Sequence, residues 1–119
     1  MKNDELTKAE EQIMHVLWDI EKGFVKDVIT HLPNPKPAYN TVSTILRILV
    51  EKEFVYYNAF GKTHQYYPLI KKKDYSSQQL NTIVSRFFDN SPKRLLSFLV
   101  KEDKLDINDI DEILKTLKK

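Results

Sequence analysis

The amino-acid sequence predicts a mainly α protein with a small β-wing. Three observations carry that reading. Apolar residues recur at i, i+3, i+4 and i+7 in separate segments along the chain, the signature of amphipathic helices. Residues 55–70 break that rhythm, with aromatic and β-branched residues on both sides of Gly61-Lys62-Thr63, which reads as a hairpin. Charge is also unevenly placed. Residues 1–25 hold three Lys against six Asp and Glu, residues 26–73 hold eight Lys and Arg against three acids, and residues 74–119 hold eight of each. The net +5 of the middle stretch suits a polyanionic partner.

The elements follow in order. Thr7-Lys-Ala-Glu10 has the Thr-x-x-Glu pattern of a capping box, so a first helix is expected over 8–20 with Ala9, Ile13, Val16, Leu17 and Ile20 inward. Gly23 ends it. Phe24-Val25 suits a strand stub or a packed loop, and Val28, Ile29 and Leu32 predict a short second helix over 26–32. Pro33, Pro35 and Pro37 stop that helix, because each lacks an amide and disfavours helix before it. A third helix follows from Ala38 toward Phe54, with Val42, Ile45, Leu46 and Leu49 as its buried stripe. Val55–Phe60 and His64–Ile70 read as the two strands of the hairpin. Ser76 or Ser77 is expected to cap a fourth helix bearing Leu80, Ile83, Val84, Phe87 and Phe88. Ser91-Pro92 opens a fifth, with Ser as N-cap and Pro at the first helical position. Asp106 can cap a sixth, carrying Ile107, Ile110, Ile113, Leu114 and Leu117.

Helix, stub, helix, turn, helix, hairpin is the order of a winged helix-turn-helix. The sequence therefore divides into a DNA-binding winged helix over 1–73 and a helical dimerisation domain over 74–119. The last three helices span about 45 residues, near the lower limit for an independent fold, so their apolar faces want a partner. A second copy of the chain is the economical one.

Several function classes drop out. There is no cysteine, hence no disulfide, thiol chemistry or Cys-ligated zinc. His15, His31 and His64 fall on separate elements without ligand spacing, and two glycines cannot build a phosphate loop. We expect no catalytic residue, no metal and no cofactor. No apolar run approaches the roughly 18 residues of a membrane span, and the N-terminus lacks an apolar signal core. A bacterial-type cytoplasmic protein without membrane insertion is expected.

The third helix is the expected reading element. Its outer face carries Asn40, Thr41, Ser43, Thr44 and Arg47, short or fork-shaped hydrogen-bonding groups rather than a band of Lys and Glu. Such a face can lie against base edges in a major groove. Thr41, Ser43, Thr44 and Arg47 are expected to face the groove, with Asn40 at the start of the helix. Lys36, Lys62 and His64 are expected at phosphates, and Thr7 joins the DNA-contacting set. Leu80, Ile83, Phe87, Leu95, Leu99, Ile110, Ile113 and Leu114 are expected to form the dimer interface. The alternative is a winged helix used only for binding protein, which would call for an acidic or apolar face.

Leu6-Thr-x-Ala-Glu10, Leu17-Trp18-Asp19, Val25-x-x-Val28, Ala38-Tyr-x-Thr-Val-x-Thr44, Tyr67-Pro68-Leu69 and Phe87-Phe88-x-x-Ser91 together resemble the penicillinase-repressor family over nearly the whole chain. The resemblance implies a homodimer on a palindromic double-stranded operator, controlling a β-lactamase or antibiotic-resistance type operon. In the penicillinase branch a membrane sensor-protease system, acting indirectly, relieves repression by cutting an Asn-Phe bond. Alignment puts Ser97-Phe98 at that bond, with Ser in place of Asn. Two further departures stand out: Phe24 replaces the usual Thr or Ser cap of the second helix, and Glu53 replaces a common Gly after the third. The copper-responsive branch uses C-terminal cysteines, which this chain lacks.

Overall fold

The computed structural model describes residues 5–117 and is mainly helical with one two-stranded sheet. Its elements are α1 (Lys8–Ile20), α2 (Val25–Thr30), α3 (Tyr39–Glu51), β1 (Val55–Phe60), β2 (Thr63–Pro68), α4 (Lys72–Phe87), α5 (Pro92–Lys101) and α6 (Ile107–Leu117). This is the winged-helix order followed by three helices, as the sequence predicts. The chain divides into two compact units, with the division falling within α4, between Tyr75 and Ser76.

The first unit is built on the stripes read from the sequence, with one exchange in α1: Ala9, expected inward, is exposed, and Met14, expected to flank the stripe, has no exposed surface. Ile13, Met14 and Leu17 of α1, Val28 of α2 and Val42, Leu46 and Leu49 of α3 are buried with Phe54, Val55, Tyr66 and Tyr75. α1 starts with the complete capping box. Thr7 Oγ1 accepts from the Glu10 amide at 3.1 Å, and Glu10 Oε1 accepts from the Thr7 amide at 2.9 Å. Two orphan donors are thereby satisfied. Glu10 Oε1 also accepts from Lys52 Nζ at 2.8 Å, tying the start of α1 to the end of α3. Trp18 donates its indole N–H to the Ile70 carbonyl at 2.8 Å.

β1 and β2 pair antiparallel from Val55↔Pro68 to Phe60↔Thr63, joined by the two-residue turn Gly61-Lys62. Gly61 has φ 63 and Lys62 does not turn positive, the pattern of a hairpin turn that needs Gly first. The stub expected at 24–25 lies one residue earlier. Gly23 bridges Tyr66 through two backbone hydrogen bonds of 2.9 and 2.8 Å, and Val25 already belongs to α2.

The start of α4 corrects the sequence reading. Ser76 and Ser77 are inside the helix, which begins at Lys72. The cause is Tyr75. Its ring packs against Trp18 and Phe54, with centroids 6.0 and 5.7 Å away, and its hydroxyl accepts from the Leu6 amide at 3.4 Å. Anchoring that side chain fixes the first turn ahead of the serines.

The second unit has its caps where the sequence puts them. Ser91 Oγ accepts from the Arg94 amide at 3.2 Å, with Pro92 at the first helical position. Asp106 and Asp109 cap each other's amides at the start of α6, at 2.9 and 3.1 Å. Its packing differs from that of the first unit. Among the described residues after Tyr75 only Val84 is buried, while Leu80, Ile83, Phe87, Leu96, Phe98, Ile113 and Leu114 are exposed.

Candidate nucleic-acid interface

α3 buries one face and leaves the opposite face open. Val42, Leu46 and Leu49 have no exposed surface, which fixes the rotation of the helix in its unit. Asn40, Thr41, Thr44 and Arg47 are then exposed, and Ser43 is half-buried. Asn40 and Thr44 are four residues apart, as are Ser43 and Arg47, so they form two neighbouring rows on the helix. Ala38, the N-cap, offers no side-chain acceptor, so the first amides of α3 have no side-chain cap.

The Ser43 row faces the hairpin. Tyr39, Ser43 and Arg47 line a groove of about 370 Å³ with Tyr57, Lys62, His64 and Tyr66. The floor of the groove is aromatic. His64 stacks on Tyr57 with ring centroids 3.9 Å apart and planes at 9°, and Tyr66 adjoins both. Burial pushes the Tyr66 phenol up, against an opposing pull from the Arg47 charge. The ion pairs among the described residues are Glu10–Lys52 and Asp89–Arg94, so neither Arg47 nor Lys62 spends its charge inside the protein. The groove also carries one carboxylate, Glu51; its two cations outnumber it, and with the hydrogen-bonding side chains they can accept phosphate oxygens and base edges.

The other candidates lie elsewhere. Lys36 is exposed, and its ammonium donates to the carbonyls of Thr30 (3.0 Å) and Leu32, closing the end of α2. Thr7 is exposed at the start of α1, with its hydroxyl engaged as the cap. Two groups were not singled out from the sequence. Tyr39 is 48% exposed at the first position of α3. Ile48 is 36% exposed on the row of Thr41 and Thr44. Ile48 carried a legible signal, since it falls outside the buried stripe at 42, 45, 46 and 49. Tyr39 carried none, because an aromatic residue at a helix start is usually packed.

Ser97 and Phe98 lie within α5, and the Phe98 ring meets Phe88 edge to face at 5.4 Å. No helix among the described residues is long and apolar enough to cross a membrane.

The family model described as Penicillinase repressor matches residues 6–119. A relative, the penicillinase repressor of Bacillus licheniformis, is 23% identical over 117 residues, covering 98% of this chain and 91% of that protein.

Proposed function

The chain belongs to the penicillinase repressor family, a family of DNA-binding transcriptional repressors, and on that premise we propose that it is a dimeric cytoplasmic repressor of a palindromic operator. Residues 1–73 bind DNA and residues 74–119 dimerise. The observation that carries this reading is the outer face of α3, where Asn40, Thr41, Thr44 and Arg47 are all exposed beside a basic hairpin. In the major groove Arg47 takes a guanine edge, and Thr41, Ser43 and Thr44 contact the neighbouring bases. Ile48 offers an apolar contact to a thymine methyl. Lys62 and His64 meet backbone from the wing, and the uncapped first amides of α3 do so from its N-terminus. Lys36, held on the α2 carbonyls, and Thr7, held in its cap, complete the backbone contacts.

The exposed apolar groups of α4, α5 and α6 support dimerisation, since burying them removes apolar surface worth about 25 cal/mol per Å² from water. Leu80, Ile83, Phe87, Ile113 and Leu114, which are exposed, and Leu95, Leu99 and Ile110, which are half-buried, form that interface. The dimer sets the two α3 helices about 34 Å apart, or a multiple of it, to meet successive major grooves.

A shift assay across a salt series tests the DNA reading. Binding to a duplex from the protein's own upstream region should weaken linearly in log salt, and Lys62→Ala should lower the slope by about one ion. A chain that binds no duplex at any salt would instead be a protein-binding module.

Release follows by proteolysis at Ser97-Phe98, triggered through a membrane sensor-protease system. The bond sits in the middle of α5, protected while that helix is formed and open to cleavage on local unfolding. Cutting there detaches α6 and part of α5, and with them Leu99, Ile110, Ile113 and Leu114 of the proposed interface. Mass spectrometry of the protein from induced cells should find a fragment ending at Ser97. An intact chain during derepression would refute release by this route.

A further inference from the structure

Phe24 occupies the N-cap of α2, where Ser, Thr, Asp and Asn are favoured because their side chains accept a first-turn amide. A phenyl ring accepts nothing. Only the reverse half of the cap is made, with Asp27 Oδ2 accepting from the Phe24 amide at 2.8 Å. Helix formation therefore does not explain the ring, but its contact does. It meets Phe60 edge to face, with centroids 5.7 Å apart and planes at 66°, inside the range of about 4.5–7 Å that favours aromatic pairs. Phe60 ends β1 and is 55% exposed, a large apolar group at the tip of a hairpin. The two residues after it, Gly61 and Lys62, form the turn.

The residue before Phe24 grips the same hairpin by its backbone. Gly23 and Tyr66 exchange two hydrogen bonds. A side chain at Gly23 would crowd the link, because a Cβ there would lie 2.8 Å from Ile20 Cδ1 and 3.1 Å from Asp27 Cβ. So the step Gly23-Phe24 holds the hairpin twice, at mid-strand through main chain and at the tip through rings. A two-stranded hairpin alone is marginally stable in water, and a tip left free would have to be ordered at the moment of binding, at a cost in affinity.

We infer that Phe24 is a positioning residue for the wing: its ring clasps Phe60 and so fixes where Lys62 is presented beside the outer face of α3. The inference rests on the reading that the wing meets the DNA backbone. It makes no use of base contacts, so it acts on any sequence.

The test uses the full chain, with Phe24→Ser and Phe24→Tyr, each with and without Lys62→Ala. Serine removes the ring but supplies an acceptor to the α2 amides, so the fold is retained; tyrosine keeps the ring. Amide exchange without DNA reads the clasp, and affinity for a mixed-sequence duplex reads its consequence. In Phe24→Ser, exchange at Gly61, Lys62 and Thr63 should quicken several-fold while the amides of α1 and α3 are unchanged. Lys62→Ala should weaken binding several-fold in the parent and in Phe24→Tyr, but by less than about twofold in Phe24→Ser. Unchanged exchange at the tip overturns the clasp. A loosened tip with an undiminished effect of Lys62→Ala overturns its role in DNA binding. A loosened tip with Lys62→Ala silent in the parent as well overturns the phosphate contact of the wing, and leaves the clasp standing.

Discussion

Glu10 is the one buried charged side chain among the described residues, and its surroundings decide its effect. Burial alone would raise its pKa. The hydrogen bond from Lys52, the Thr7 amide and the Lys52 charge together outweigh that and hold the carboxyl below its ordinary 4.5. A carboxyl that ionises more readily in the folded chain stabilises the fold at pH values above the ordinary carboxylate range. That contribution is lost as pH falls through about 4.5 toward the folded value. Urea midpoints measured from neutral pH downward should fall more steeply below this point in the parent than in Glu10→Gln. At pH 7, Lys52→Ala should cost about 1.5–3 kcal/mol, because it removes a charged hydrogen bond and leaves Glu10 buried with its amide partner alone. A cost under about 0.5 kcal/mol would mean that the pair does not tie α1 to α3. Half of this arrangement was legible in the sequence, since Thr7-x-x-Glu10 declares the cap. The Lys52 half was not, because 42 residues separate the partners.

α3 ends in a Schellman motif. The Phe54 amide donates to the Leu49 carbonyl at 2.9 Å and the Glu53 amide to the Val50 carbonyl at 3.0 Å, with Phe54 and Leu49 both fully buried. The motif needs a left-handed residue, and Glu53 supplies it at φ 66. That conformation costs a residue with a Cβ roughly 1–2 kcal/mol, while Gly would give back part of the gain through its freer unfolded chain. Glu53→Gly should therefore stabilise the protein by about 0.5–1 kcal/mol, seen as a rise of a few degrees in melting temperature. No rise, or a fall, would show that the Glu53 side chain offsets its own backbone strain. Elements with long apolar periodicity, such as α1 and α3, could be read directly from the chain. The start of α4 could not, because Tyr75 takes its place through contacts with Leu6, Trp18 and Phe54, residues distant in sequence. On the candidate interface, the polar row of α3 was legible from residue type, whereas exposed Tyr39 and Ile48 depend on how the helix is rotated against its neighbours.

At the scale of the whole molecule the two units differ in how they are stabilised. The first has a closed core, and the second leaves most of its apolar side chains exposed. On the proposed reading the second unit is completed by another copy, and the linkage between dimerisation and operator affinity follows from effective concentration. A chain ending at Gln79 keeps Tyr75 and should sediment as a folded monomer with weakened operator affinity. One ending at Lys73 loses Tyr75 and should be less stable by about 3–5 kcal/mol, the cost of emptying an aromatic site. If the Gln79 form binds the palindrome as tightly as the intact chain, the second unit does not supply affinity. On the proposed reading, α3 reads sequence through Arg47. Fluorescence anisotropy at one fixed salt should compare the parent and Arg47→Ala on a duplex from the protein's own upstream region and on a mixed-sequence duplex of equal length. Arg47→Ala should lose about 1–3 kcal/mol on the upstream duplex and change little on the mixed one. Equal losses on both would mean that Arg47 does not read bases.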